Sequence, residues 1–264
     1  MQVGFIGAGR MASAMVSGLL AKRLYPAEAI GCTCGDDPTG PQLAEKTGIR
    51  WVAEAGELIH HADVLVLACK PQQLDTLDPV YTAQSQGRLV LSILAGTTLA
   101  RLRATFPEAR NIARAMPNTP GQIGAGITAF APLQTLASED RKAVLGILGA
   151  LGDVLELPEA QLDAVTAISG SGPAYVFEFT AALREAGSQL GLSSDVADQL
   201  ARQTVIGAAR LMDSAAIDPE NLRNAVTSKG GTTEAALKTF AEGGLRKLVS
   251  RAAAAAEARS RELA

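Results

Sequence analysis

The feature that most narrows what this chain can fold into lies in its first dozen residues. Val3-Gly4-Phe5-Ile6 is an apolar run that passes without a spacer into Gly7-Ala8-Gly9-Arg10-Met11-Ala12. Behind that turn Met11, Met15, Val16 and Leu19 recur at helical spacing, which predicts a helix over residues 8–22. A strand feeding a helix through Gly-x-Gly-x-x-Ala is the opening of a dinucleotide-binding unit. Gly7 permits the tight turn, Gly9 lets a pyrophosphate approach bare backbone, and Ala12 lets the helix lie close on the strand. The free N–H groups and the positive end of the helix dipole then meet the phosphates. The pattern alone is weak evidence; its place between a strand and a helix makes it specific. The structural alternative is a glycine-rich turn with no ligand.

The next hundred residues continue the alternation. Apolar runs predict strands over 30–34, 63–68, 89–93 and 111–116, and helical spacing predicts short helices over 42–47 and 53–60. This order implies a parallel sheet with helices on both faces. After about residue 160 the strand signals stop. Ala-rich helices are predicted over 173–190, 194–215, 232–242 and 244–263. The fold expected is an α/β Rossmann-type dinucleotide-binding domain over 1–160 followed by an all-α domain over 161–264. Ala252–Ala256, with Leu245 and Leu248 on the same side, is expected to pack helix on helix; plain helix propensity on an exposed face is the alternative.

Composition excludes several partners. A net charge of −3 with no basic cluster argues against nucleic acid and anionic membrane, and 4% aromatic content offers few rings for base stacking. No apolar run is long enough to span a bilayer. The start of the chain carries no basic leader, so a cytoplasmic location is expected. Cys32, Cys34 and Cys69 are odd in number and lack zinc spacing, so they read as reduced structural thiols and no metal site is expected. His60 and His61 read as surface or helix-end residues.

Four further segments carry candidate chemistry. Cys34-Gly35-Asp36-Asp37 follows the second strand, where an acid bonds the ribose hydroxyls and a base favours a 2′-phosphate. Asp36 is either that acid or a solvated loop residue. Ala68-Cys69-Lys70-Pro71-Gln72 leaves the C-terminal end of a central strand, where ligands bind in such sheets; Lys70 either orients cofactor or substrate or is a surface charge. Arg114-Ala115-Met116-Pro117-Asn118-Thr119-Pro120 is stiffened by prolines, as suits a wall beside a nicotinamide or a fixed turn leaving the sheet. Ser228-Lys229-Gly230-Gly231-Thr232-Thr233 presents bare amides before a helix, which suits either an anion or a capped helix start with Thr232 or Thr233 as the cap. Ser169 lies between glycines in Ile168-Ser169-Gly170-Ser171-Gly172-Pro173-Ala174-Tyr175. No strand precedes it and the chain holds only two histidines, so a hydrolase nucleophile is not expected.

These segments, in this order, resemble pyrroline-5-carboxylate reductase from Val3 to the last helix. Ser169–Tyr175 and the Gly-Gly-Thr-Thr turn are the most specific marks. The resemblance implies reduction of the C=N bond of pyrroline-5-carboxylate by NADPH or NADH, giving L-proline in the last step of proline biosynthesis. It also implies homodimers through the helical domain, assembled further into decamers. The residues expected along the dinucleotide are Gly7, Ala8, Gly9, Arg10, Met11, Thr33, Asp36, Ala68, Lys70, Pro71, Ala95, Gly96, Pro117 and Asn118. Those expected at the substrate are Ser228, Gly230, Gly231, Thr232 and Thr233, with Thr233 catalytic through its hydroxyl on the ring nitrogen. Two departures matter. Lys229 replaces the family's proline, and Ala53-Glu54-Ala55-Gly56 lacks the asparagine often found near the adenosine phosphate; together with Asp36 and Asp37 this counts against a strong NADPH preference, so the choice between NADPH and NADH stays open. A β-hydroxy-acid reductase, which would use a lysine such as Lys229 or Lys238, and a non-catalytic dinucleotide-binding protein are the rival readings.

Overall fold

The computed structural model describes residues 2–215 and 217–263. Its first part alternates β1 (Val3–Ile6), α1 (Arg10–Ala21), β2 (Ile30–Thr33), α2 (Thr39–Thr47), β3 (Arg50–Trp51), α3 (Ala55–His61) and β4 (Val64–Leu67). It continues through α4 (Pro79–Ala83), β5 (Leu89–Ser92), α5 (Leu99–Thr105), β6 (Asn111–Met116), β7 (Gly126–Pro132), α6 (Ser138–Gly149), β8 (Gly152–Glu156) and α7 (Leu162–Val165). The strands form one sheet in the order β3-β2-β1-β4-β5-β6-β7-β8. The order reverses between β1 and β4, and that switch point is where an open α/β sheet binds its ligand.

Period-two alternation explains why helices cover both faces. Val3, Phe5, Val66 and Leu91 point to one side and pack with Met15, Val16 and Leu19 of α1 and Ile147 of α6. Ile6, Leu65, Leu67 and Val90 point to the other and pack with Leu58 and Ile59 of α3 and Leu102 of α5. Strands buried on both faces read as continuous apolar runs, which is why β1, β4 and β5 were legible.

The sheet is not wholly parallel, as the sequence pattern had implied. β7 runs antiparallel to β6, and β8 is parallel to β7. A short 3-10 turn over Thr119–Ile123, ending at the left-handed Gly124, reverses the chain directly after β6. There is no room there for a crossover helix.

Packing divides the chain into Met1–Ser171 with Ala255–Ala264 and, separately, Gly172–Ala254. The last turns of the final helix pack within the first unit, where the buried Ser260 donates to Asp163 at 2.8 Å. The second unit holds α8 (Gly172–Gln189), α9 (Ser194–Ala215), α10 (Pro219–Ala225), α11 (Thr232–Glu242) and most of α12 (Leu245–Glu262). It leaves large apolar side chains uncovered: Phe177 is 67% exposed, Val249 54% and Leu248 53%. Ala252, Ala254 and Ala255, expected to be packed, are exposed within the single chain. No helix among the described residues is long and apolar enough to cross a membrane.

Candidate functional site

The turn after β1 is built around one constraint. Gly7 has φ +105°, and a Cβ there would come within 2.6 Å of the Ala68 and Cys69 backbone. The turn can thus lie against the end of β4 only if this residue is glycine. Gly7 N–H donates to Thr33 O at 2.9 Å and Ala68 N–H to Ile6 O at 2.8 Å, which ties the ends of β1, β2 and β4 together. Gly9 is the N-cap of α1, accepts no side-chain cap, and would meet nothing with an added Cβ. The first amides of α1 therefore lack a capping side chain, and an approaching pyrophosphate meets no side chain at Gly9.

Beside this turn lies a cleft of about 590 Å³. Gly7, Ala8, Gly9, Thr33, Ala68 and Lys70 line it, as expected from the sequence. Asp37, which stands beside Asp36 in the sequence, and Glu54 line it too, as do two residues that the sequence did not single out, Asp78 and Tyr81. Asp78-Pro79 was the legible signal among them, an N-cap followed by proline; Asp78 accepts from Val80 N–H at 2.9 Å. Asp36, the acid proposed for the ribose, is exposed and lies outside the cleft. Asp37, equally exposed, lines the cleft instead. Its Oδ1 accepts from the Thr39 amide at 2.9 Å and from the Thr39 hydroxyl. These bonds, the hydroxyl's first, and then Lys70 hold the Asp37 carboxyl below the usual carboxylate range. Burial pushes the Tyr81 phenol up to about 12, so it stays neutral and can donate.

The other expected cofactor residues fall nearby or elsewhere. Arg10 lines a separate groove between α1 and α2, with Lys46 and Gln42. Met11 is half-buried against the core. Pro71 opens a 3-10 turn in which Lys70 N–H donates to Gln73 Oε1 at 2.9 Å. Ala95 and Gly96 form the turn after β5; Ala95 is exposed, while Gly96 is buried against Leu263, whose carbonyl would lie 2.8 Å from an added Cβ. Pro117 and Asn118 follow β6 and are buried. The Asn118 side chain is already committed: Nδ2 donates to Ser169 O at 3.2 Å and Oδ1 accepts from Ile127 N–H at 3.0 Å. It braces the end of β6 against β7 and against the π-helical turn Thr166–Gly170. Ser169 Oγ donates back to Val165 O at 3.1 Å.

In the second unit, Gly230 adopts φ +75° and Gly231 is the N-cap of α11. An added Cβ on Gly231 would meet Ser228 Oγ at 2.5 Å. The cap is therefore Gly231 itself, with no side-chain bond, and not Thr232 or Thr233 as proposed from the sequence. Two amides expected to be free are engaged. Gly231 N–H donates to Ser228 O at 3.0 Å, closing the turn, and Gly230 N–H donates to Glu234 Oε2 at 2.7 Å. A carboxylate of the chain's own thus lies on the turn predicted to take a carboxylate. Thr232 and Thr233 occupy the first turn of α11, and Thr233 is half-buried.

His60 and His61 lie exposed in the last turn of α3, and the three cysteines are free. No group of side chains suited to a metal occurs among the described residues.

Comparison with known proteins agrees with this architecture. The family model of the pyrroline-5-carboxylate reductase dimerisation domain matches residues 159–263. The model described as NADP oxidoreductase, coenzyme F420-dependent, matches residues 2–96. Pyrroline-5-carboxylate reductase of Pseudomonas aeruginosa is 41% identical over 269 residues, covering 100% of this chain and 97% of that one. The chain belongs to the pyrroline-5-carboxylate reductase family. Among solved structures of this family, that from Coxiella burnetii superposes with a TM-score of 0.93 at 36% identity, covering 100% of this chain and 98% of that one. The Plasmodium falciparum reductase, solved with NADP bound, gives 0.86 at 28% identity, with 100% and 98% covered. The family resemblance read from the motifs is thus borne out along the whole chain, as is the order of a Rossmann-type domain and a helical dimerisation domain.

Proposed function

We propose that this chain reduces 1-pyrroline-5-carboxylate to L-proline with NADPH or NADH as the hydride donor, closing proline biosynthesis. Full-length membership of the reductase family carries the reading, and the glycine turn at the β1/β4 switch point supports it. Bound along the cleft, the dinucleotide supplies two electrons and a hydrogen to the imine carbon. The uncapped amides of α1 hold its pyrophosphate. Pro117 and Asn118 wall the nicotinamide, with Asn118 acting through the bonds that fix the backbone after β6.

The second unit supplies the hold on the substrate. The Ser228–Thr233 turn takes the carboxylate, and the Thr233 hydroxyl orients the ring nitrogen and keeps its proton in place. A protonated imine is already an electrophile, so positioning does most of the work and no strong side-chain acid is needed. The nitrogen keeps its proton and becomes the amine as the carbon receives the hydride. The carbon bearing the carboxylate is untouched, and its configuration passes into the product.

The uncovered apolar side chains of α8 and α12 suit burial against a second copy. We assign them to a homodimer through the second unit, with assembly into decamers as the larger form. We assign the protein to the cytoplasm, where its three free cysteines would stay reduced. Dinucleotide oxidation dependent on pyrroline-5-carboxylate, followed at 340 nm, tests the activity. Turnover of hydroxy acids without imine reduction, or tight dinucleotide binding with neither, would replace it.

A further inference from the structure

We infer that this chain takes NADH in preference to NADPH, and that Asp37 is the residue that excludes the 2′-phosphate. The inference rests on the dinucleotide site proposed above and deepens it. In a dinucleotide-binding sheet the loop after the second strand meets the adenosine ribose; an acid there bonds the hydroxyls, and a base accommodates the phosphate. The sequence offered two adjacent acids. The structure separates them: Asp37 lines the cleft and Asp36 does not.

Asp37 is prepared for the role. The Thr39 amide and hydroxyl hold Oδ1, which fixes the carboxylate's orientation. Oδ2 has no hydrogen-bond partner among the described residues and is available to a ribose hydroxyl. The rest of the wall carries the same sign. Glu54 and Asp78 also line the cleft, and Lys70 is the one lysine or arginine among its lining residues. Cys34 and Gly35, the other lining residues of the β2 loop, offer no cation. A 2′-phosphate carries about −1.5 to −2 near neutral pH and would add that charge to three carboxylates faced by one ammonium. Even at a water-like dielectric, a dianion some 4–5 Å from Asp37 loses roughly ten- to thirty-fold in affinity from that pair alone.

Two other cations lie within reach of the same turn. Arg10 and Lys46 line the groove that shares Ala8, Gly9 and Thr39 with the cleft. A phosphate turned into that groove would escape Asp37, and the test includes it.

The test measures binding, by titration calorimetry on the full-length protein without substrate, of NADH and NADPH in parallel. Wild type should bind NADH at least ten-fold more tightly. Asp37→Asn keeps the shape and the Thr39 bonds but removes the charge. It should tighten NADPH about ten-fold while NADH changes by less than about three-fold. Asp36→Asn should change neither. Tighter NADPH in the wild type would overturn the inference, all the more plainly if Arg10→Ala or Lys46→Ala abolishes the advantage. An NADH preference unmoved by Asp37→Asn would overturn the assignment to Asp37. In both cases imine reduction by the preferred dinucleotide would leave the proposed activity standing. Binding of neither dinucleotide would overturn the inference and the activity together.

Discussion

Replacing Glu234 by alanine should improve substrate binding. The Glu234 carboxylate accepts from Gly230 N–H at 2.7 Å, on the turn proposed to take the substrate's own carboxylate. It also stands in the first turn of α11, where the helix dipole favours an anion. A hydrogen bond to a charged acceptor is worth about 1.5–3 kcal/mol when sheltered from water. Glu234 is exposed, which brings the figure down to about 1 kcal/mol. Substrate must displace that bond and approach a like charge. Removing the competitor should therefore lower KM for pyrroline-5-carboxylate by about five-fold, the equivalent of 1 kcal/mol. Glu234→Gln keeps an acceptor without the charge and should fall between wild type and alanine. The α11 start should lose about 0.5–1 kcal/mol of stability, readable as a small shift in the urea midpoint. The assay is steady-state reduction at saturating dinucleotide with kcat and KM resolved. A KM that stays fixed or rises in Glu234→Ala, at unchanged kcat, would refute the idea that this carboxylate occupies the substrate's place.

Three other outcomes follow from the same geometry. Thr233→Ala should cut kcat about a hundred-fold while dinucleotide affinity is kept, with Thr233→Ser restoring most of the rate; an unchanged kcat removes Thr233 from the chemistry. Arg114 is 5% exposed and pairs with Glu159 at 3.2 Å and Asp163 at 3.5 Å, so Arg114→Met takes the cation from two partly buried carboxylates and leaves them the Leu99 amide and the Ser260 hydroxyl. It should cost about 3 kcal/mol by urea denaturation, and a loss under 1 kcal/mol would show that the acids are solvated. Burial, and then Cys34, pushes the Cys32 thiol from 9.0 up to about 11. The unfolded chain loses this proton first, so stability present below pH 9 should fall as pH rises from 9 to about 11. Cys32→Ala should flatten that part of the pH–stability curve, and an identical slope in the variant would refute the assignment.

The sequence revealed what burial on two faces makes visible. β1, β4, β5 and β6 are apolar runs in a doubly covered sheet, and their boundaries fell within a residue or two. The edge strands did not declare themselves. β8 is short and carries Asp153 and Glu156 on an exposed edge, and β7 is bounded by Gly126 and Pro132, residues that usually end strands. α6 was missed because Gly146 and Gly149 interrupt its apolar stripe. The glycine turn and the Ser228–Thr233 turn were legible because each rests on a backbone shape that only glycine supplies cheaply. The choice between Asp36 and Asp37 was not legible, since one residue of loop geometry decides it. Nor was the Glu234 bond, for Glu234 reads in sequence as an ordinary helix-start acid. Asn118 shows the opposite case: a residue expected at the cofactor spends its side chain on bonds to Ile127 and Ser169, the latter 51 residues on.

The central claim is that this chain delivers hydrogen to the imine carbon of pyrroline-5-carboxylate. The direct measurement uses dinucleotide deuterated at nicotinamide C4 on the transferred face, with the product analysed by mass spectrometry and NMR. The account predicts L-proline one mass unit heavier, with deuterium on the ring carbon beside nitrogen that does not carry the carboxylate. Unlabelled proline, label on the carboxylate-bearing carbon, or no proline at all would contradict it.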